Sequence, residues 1–350
     1  MLDAIFKKFD VEPMDGADVM ENEGRLIPTT MSLDIALNGG VREGTVIQMA
    51  ANSGTGKTTL SLEIAKQAQH LYKKQIVYID AEGRLSSKLL QFTKGLVTTD
   101  AESKKTGIPK FLYIASTKEN FLTSEKIMTL IRDLAKEGCF IILDSIAALI
   151  SGANYTSDIG SNEGGMVKVQ KESYELLRVL AQLMRPTKAN LIVITHMQSN
   201  PSGYGAALRV YGGKGLEFFS SHRLVAFQSE EYPKEGDFKT GRMTTFQVLK
   251  TDGPPRKGFI FIRYGHGIDH ERGLAEMCKT YGILGQKGAW YVFNNKIVDE
   301  VKIQGIDKVC EHLRTNREDF DYLTKTIKEM LLDNEICNTN PTEVPEPEKS

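Results

Sequence analysis

Between Thr45 and Thr195, short and nearly all-apolar runs alternate with longer stretches in which apolar residues recur every three or four positions. The short runs are Thr45–Met49, Gln75–Asp80, Phe111–Ala115, Cys139–Asp144 and Asn190–Thr195. Rich in β-branched residues and without polar alternation, they predict strands covered on both faces. Leu122, Ile127, Leu130, Ile131 and Leu134 share one helical face, as do Val169, Tyr174, Leu176, Leu177, Leu180 and Leu183. This alternation predicts repeated βαβ units around a mainly parallel sheet, an α/β fold. After Pro201 the pattern changes. Arg223–Phe227, Thr244–Lys250 and Phe259–Tyr264 predict antiparallel strands extending the same sheet, with Gly253-Pro254-Pro255 as one connecting turn. Beyond Asp269 helical stretches flank one strand, Gly288–Phe293, which predicts a small C-terminal α+β domain. The organisation expected is an N-terminal oligomerisation segment (1–25), a core (26–268), the small domain (269–337) and a flexible acidic tail (338–350) whose Pro and Glu residues cannot build a core. No internal repeat is visible.

Composition narrows the function classes only slightly. In 350 residues, 41% hydrophobic and 25% charged side chains supply enough apolar surface for a sizeable core. No apolar run approaches the ~18 residues of a membrane span, and Met1–Phe9, with two lysines after its apolar residues, is not a signal peptide. Cys139, Cys278, Cys310 and Cys337 lie far apart, which excludes a readable zinc motif and predicts core thiols in a reducing compartment. With 44 basic against 45 acidic residues, any polyanion must be held by local basic patches.

The clearest chemistry is in Ala51-Asn52-Ser53-Gly54-Thr55-Gly56-Lys57-Thr58-Thr59, between the first apolar run and the following helical stretch. A phosphate chain is held by backbone N–H groups at a helix N-terminus with a mobile cation beside them. Gly54 and Gly56 permit the close approach, Lys57 reaches the terminal phosphates and Thr58 offers a hydroxyl to Mg²⁺, although Ala51 stands where the full pattern opens on glycine. Asp80 and Glu82 follow the next run at the crevice edge of such a sheet. One of them suits the water that attacks a γ-phosphate, unless both are solvated loop acids. Asp144, after four apolar residues, fits the carboxylate that holds hydrated Mg²⁺. His196 ends a run as a γ-phosphate sensor or as a structural residue. The segment Ser199–Lys214, with Tyr204, Arg209, Tyr211 and Lys214 among glycines, suits single-stranded nucleic acid, or is a solvated loop. Ser157–Lys171 is expected as a second flexible loop ending in basic residues. Ile5, Phe6 and Phe9 share a helical face with few local apolar partners, expected to dock on an adjacent subunit or to fray.

Met31–Leu37, Ile79–Glu82, Leu143–Leu149, Gly212–Phe219, Tyr264–Ile268 and Gly288–Tyr291 resemble, in order and spacing, segments of the RecA family of strand-exchange recombinases, colinear from about Leu26 to Asn334. The resemblance implies a RecA-like P-loop ATPase core. It implies a DNA-dependent ATPase that uses ATP and Mg²⁺, forms filaments on single-stranded DNA and pairs that strand with homologous duplex DNA. Glu82, Lys57, His196 and Lys250 are then catalytic. Asn52, Ser53, Gly54, Thr55, Gly56, Lys57, Thr58 and Thr59 bind ATP, and Thr58 with Asp144, through water, holds Mg²⁺. Met166, Lys168, Lys171, Tyr204, Arg209, Tyr211, Gly212, Gly213 and Lys214 contact DNA, while Ile5, Phe6, Phe9 and Phe218 meet the neighbouring subunit. Mediator and single-strand-binding proteins are further implied partners, with no membrane, and the implied location is cytoplasmic, nucleoid-associated in a bacterial host cell. Departures lie at Ala51, at His196 where bacterial members carry glutamine, and at Leu89 and Ser86 where those members present an aromatic and an acid to adenine. Lys250 matches one of two lysines that reach the neighbour's ATP; Asp252 occupies the second place, with Arg256 or Lys257 as substitutes. This drift looks more like the phage UvsX-type branch. The alternatives are a ring helicase motor, expected to carry a large N-terminal domain, and a nucleotide-gated regulatory ATPase, which has no need of a basic, aromatic loop.

Overall fold

All five apolar runs are strands, and they pair in an order that brings their carboxyl ends to one edge. The computed structural model describes residues 2–21, 23–157, 165–199, 208–233, 239–293 and 302–333. Two short helices, α1 (Leu2–Phe9) and α2 (Gly16–Glu21), open the chain. β1 (Leu26–Ile27) and β2 (Val41–Arg42) form a small antiparallel pair bracketing α3 (Met31–Ala36). The alternating region follows as β3 (Val46–Ala51), α4 (Lys57–Tyr72), β4 (Ile76–Asp80), α5 (Ser87–Phe92), α6 (Asp100–Thr106), β5 (Leu112–Ala115), α7 (Ser124–Lys136), β6 (Phe140–Asp144), α8 (Gly152–Thr156), α9 (Gly165–Thr187) and β7 (Asn190–Ser199). β8 (Leu208–Val210), α10 (Gly213–Phe219), β9 (His222–Tyr232), β10 (Gly241–Lys250), β11 (Arg256–Arg263) and β12 (Gly267–Ile268) complete the ten-stranded sheet.

The sheet order is β12-β11-β10-β9-β3-β7-β6-β4-β5, with β8 pairing on β7. The three later strands pair antiparallel with one another as expected, β9 with β10 and β10 with β11, while β9 also runs parallel to β3, which joins them to the parallel core, and it is longer than the predicted Arg223–Phe227. Local periodicity carries no information about partner direction, which the crossover through α10 sets. Alternate strand residues feed opposite cores. Ile47, Met49 and Ala51 face α4 with its buried Leu60, Ile64, Ala65 and Ala68. Val46 and the other face pack on Ile127, Met128 and Ile131 of α7 and on Val169, Leu176, Leu177 and Leu180 of α9. Each large aliphatic side chain among these contributes ~1.5–3 kcal/mol by burial. The later region holds α11 (His270–Thr280), the antiparallel sheet β13 (Leu284–Lys287), β14 (Trp290–Phe293) and β15 (Lys302–Gln304), then α12 (Ile306–Thr315) and α13 (Arg317–Lys328), around their own core. Arg314 clamps Asp269 at 2.8 Å and Lys328 reaches the buried Asp34 of α3 at 3.4 Å. Cys139, Cys278 and Cys310 are buried thiols, and Cys337 and the tail 338–350 lie outside the described residues.

Two loop expectations need correction. Ser157–Lys171 is not a loop to its end: α9 begins at Gly165, so Met166, Lys168 and Lys171 are helical. Ser199–Lys214 is not one continuous loop either: Met197, Gln198 and Ser199 pair with Val210, Arg209 and Leu208 in a hairpin, and Lys214 sits in the first turn of α10. Three-residue strands and helix ends without apolar repeats leave no periodic signal.

Candidate nucleotide site and nucleic-acid interface

Strand register assembles the site. Ala51 of β3 pairs with His196 of β7, and Asp80 of β4 with Asp144 of β6, so the phosphate loop, both acidic strand ends and the histidine share one edge. Ala51 lies in extended strand, so its Cβ carries no strain where the pattern has glycine. Gly54 and Gly56 have φ of +75° and +93°, and a Cβ on Gly56 would collide with Ile262 Cδ1. The N-cap of α4 is Gly56, which has no side chain to cap it, and among the described residues no side-chain acceptor is seen on the first N–H groups of the helix. Lys57 Nζ donates to the Ala51 and Asn52 carbonyls at 2.9 and 2.8 Å, and Thr55 Oγ1 to the Asn52 carbonyl at 2.8 Å. Burial lowers the Lys57 pKa against the opposing pull of Asp144 and Glu82.

A cleft of about 380 Å³ opens over this edge. Ser53, Gly54, Gly56, Lys57, Thr58 and Thr59 line it with Glu82, Asp144 and His196, while Asn52 and Thr55 build the loop behind it. Thr58 Oγ1 donates to Asp144 Oδ2 at 2.8 Å, and the Tyr78 hydroxyl donates to the same oxygen. Burial raises the Asp144 pKa, and the nearby carboxylates Glu82 and Asp80 add to the rise against those two hydrogen bonds. A hydroxyl beside a carboxylate short of positive charge is a donor set that fits Mg²⁺ binding with phosphate oxygens and water.

The two acids after β4 separate in role. Asp80 is buried and accepts from the N–H groups of Glu82, Gly83 and Leu85 and from the Tyr113 hydroxyl, so it builds the turn. Glu82 faces the cleft. Its Oε1 accepts from Ser145 Oγ and, at 2.7 Å, from His196 Nε2; its Oε2 pairs with Arg84 at 3.2 Å. Burial would raise the Glu82 carboxyl, but the bonds from His196 and Ser145 and the Arg84 charge outweigh it and hold the pKa low. The His196 carbonyl accepts the Tyr211 N–H at 3.0 Å, which ties the cleft edge to the β7–β8 hairpin.

The remaining predicted residues scatter. Lys250, exposed at the end of β10, donates to the Phe218 carbonyl at 2.8 Å, outside its own chain's cleft. Arg256, offered as a substitute, donates to the Ile35 carbonyl, and Asp252 pairs with Arg42. Tyr211 is half-buried against the sheet core rather than free on a loop. Gly212, at φ +117°, would carry a Cβ 2.5 Å from Leu216 Cδ1, so it is a conformational requirement of the turn into α10. Lys168 pairs with Glu125 at 2.6 Å, while Lys171 and Lys214 are exposed. Arg209 lies on β8, and Tyr204 lies outside the described residues. Ile5, Phe9 and Phe218 are exposed apolar side chains, at 47, 67 and 64%, and Phe6 is half-buried. Sequence reasoning did not single out Arg84, Phe92, Arg242, Ile262 or Arg263 of the cleft. They come from β10, β11, the end of α5 and the loop after β4, and nothing in their local spacing marks them.

A family model described as the RecA N-terminal domain matches residues 6–269. The protein RecA of Streptomyces rimosus is 28% identical over 313 residues, covering 87% of this chain and 77% of that protein. Those of Saccharopolyspora erythraea and Amycolatopsis mediterranei are each 29% identical, covering 87 and 88% of this chain and 84 and 85% of theirs. With the phosphate loop, acidic strand ends and histidine joined by register and a match over most of its length, the chain belongs to the RecA family of recombinases.

Proposed function

We propose that the protein is a DNA-dependent ATPase that polymerises on single-stranded DNA with ATP and Mg²⁺ and pairs that strand with homologous duplex DNA. The observation that carries this reading is the continuity of His196: its side chain holds Glu82 in the cleft, and its backbone holds the hairpin that bears Arg209. When bound, Mg²⁺ supplies positive charge to the phosphate oxygens. Thr58 and Asp144 would hold it. The N–H groups at the start of α4 and Lys57 receive the phosphates, the lysine exchanging loop carbonyls for phosphate oxygens. Glu82, anionic at neutral pH, orients the attacking water and accepts its proton. In the resting arrangement the His196 Nε2 hydrogen bond is taken by Glu82. A γ-phosphate oxygen that accepts this hydrogen bond opens a place for water on Glu82 Oε1 beside the Ser145 hydroxyl, and the shift of His196 reaches the hairpin through the Tyr211 N–H. Nucleotide and DNA affinities are thereby linked reciprocally. Lys250 serves the neighbouring subunit's nucleotide. Within the family, His196, Ala51 and Leu89 support a place on the phage UvsX-type branch. Electron microscopy with single-stranded DNA and a non-hydrolysable ATP analogue tests the reading: helical filaments are expected, whereas closed rings indicate a helicase and unassembled protein a regulatory ATPase.

A further inference from the structure

β10 runs along the phosphate loop and bonds to it twice. Thr244 Oγ1 donates to the Thr55 carbonyl at 2.8 Å, and Arg242 Nη1 donates to the Gly54 carbonyl at 2.7 Å. Thr244 and Arg242 stand two apart on the strand, so both project from one face. A peptide plane is rigid and its C=O and N–H point in opposite directions. Holding the Gly54 and Thr55 oxygens toward β10 therefore aims the N–H groups of Thr55 and Gly56 away from it. Those donors belong to the loop that receives phosphates.

The arginine is itself held from a second side. Its Nη2 lies 3.3 Å from Glu231 Oε1 on β9, and the Tyr264 hydroxyl donates to that same oxygen at 2.8 Å. Arg242 and Tyr264 both line the cleft. Arg242 Nε is buried without a hydrogen-bond partner among the described residues. Leaving a buried donor unpaired is costly, so the guanidinium's position is set by the bonds of Nη1 to the loop and of Nη2 to Glu231 rather than by a partner for Nε.

We infer that Arg242 is a positioning residue for ATP turnover, fixing the phosphate loop through the Gly54 carbonyl and itself fixed by Glu231 and Tyr264. The inference rests on the reading of the cleft as an ATP site. Its test uses the full chain and four variants: Arg242→Met, Arg242→Lys, Tyr264→Phe and the Arg242→Met/Tyr264→Phe double. Binding of a fluorescent ATP analogue, competition by inorganic tripolyphosphate, and DNA-stimulated hydrolysis are measured, with thermal midpoints to confirm folding. A lost charged hydrogen bond corresponds to roughly a tenfold loss of affinity, expected for Arg242→Met toward ATP and tripolyphosphate alike, since the loop contacts phosphate and not base. Arg242→Lys, which keeps a charged donor, should recover most of it. Tyr264→Phe should lose less and add nothing in the double variant, because it acts through Arg242. Wild-type affinity in Arg242→Met, a lysine no better than methionine, or additive effects in the double would overturn the positioning role. Wild-type protein that binds no ATP would overturn the nucleotide reading with it.

Discussion

Glu82 and Asp80 are two residues apart and chemically alike, yet only Glu82 lines the cleft. Asp80 spends its oxygens on three backbone N–H groups and a tyrosine hydroxyl, whereas Glu82 is held by side chains that can let go. Glu82→Gln is accordingly expected to slow hydrolysis by roughly 10²–10⁴-fold while ATP still binds, and Lys57→Ala to abolish hydrolysis. Equal loss of nucleotide affinity in both variants, measured by equilibrium binding, would reject this division. His196→Ala should keep nucleotide binding but lose most of the ATP-dependent gain in single-strand affinity. Fluorescence anisotropy of a labelled oligonucleotide with and without an ATP analogue reads this directly, and a full retained gain removes the sensor. The sequence offered both acids; which one faces the cleft depended on where the turn after β4 directs its amides.

At the level of elements, long amphipathic helices and buried strands were legible because burial repeats along them. α7 and α9 put most of their predicted apolar faces onto the sheet, but Leu122 precedes α7 and Tyr174 of α9 is exposed. Short or end-of-element features were not legible: β8 has three residues, and α9 starts before its apolar repeat does. Two regions expected as flexible loops therefore hold regular structure, and Tyr211 is drawn into packing. α1 is the converse case, a predicted helix whose Ile5 and Phe9 remain exposed on the single chain. Burying them against a neighbour would contribute a few kcal/mol, at ~1.5–3 kcal/mol per large apolar side chain. Deletion of residues 1–10 should then lower filament formation on DNA while the monomer keeps its melting temperature. Undiminished filaments by light scattering would show that α1 plays no part in assembly.

For the whole molecule, acid sensitivity follows from groups that only the tertiary fold brings together. His222, 1% exposed, accepts the Arg42 N–H and is neutral: burial lowers its pKa to about 4, with Arg42 adding to the fall. Its folded value lies below the unfolded value of about 6.5. The stability it contributes is therefore complete above pH 6.5 and is lost as pH falls toward 4, at most ~3 kcal/mol at 1.36 kcal/mol per unit. Glu63 of α4 adds a second, lower window. Burial would raise it, but the hydrogen bond and charge of His270 and the Lys66 ammonium hold it at about 2, so its contribution fades below about pH 4.5. Urea melts between pH 7 and 4.5 should show declining stability, with a shallower decline in His222→Gln; identical slopes would exclude His222 as the cause. The Glu63–His270 bond also joins the phosphate-loop helix to α11, so acid loosens the attachment of the C-terminal region along with the core.

The sequence by itself determined what repeats or is contiguous. Strand and helix periodicity, the phosphate loop and the order of the family's segments all depend on neighbours within a few positions, and side-chain burial enforces them locally. Tertiary structure decided what depends on pairing at long range. It set the direction of β9, the choice of Glu82 over Asp80, the His196–Glu82 contact across 114 residues, and the Arg242–Gly54 contact across 188. The physical reason is that a hydrogen bond between strands is fixed by register and sheet order, and neither is encoded in the spacing of residues along one segment.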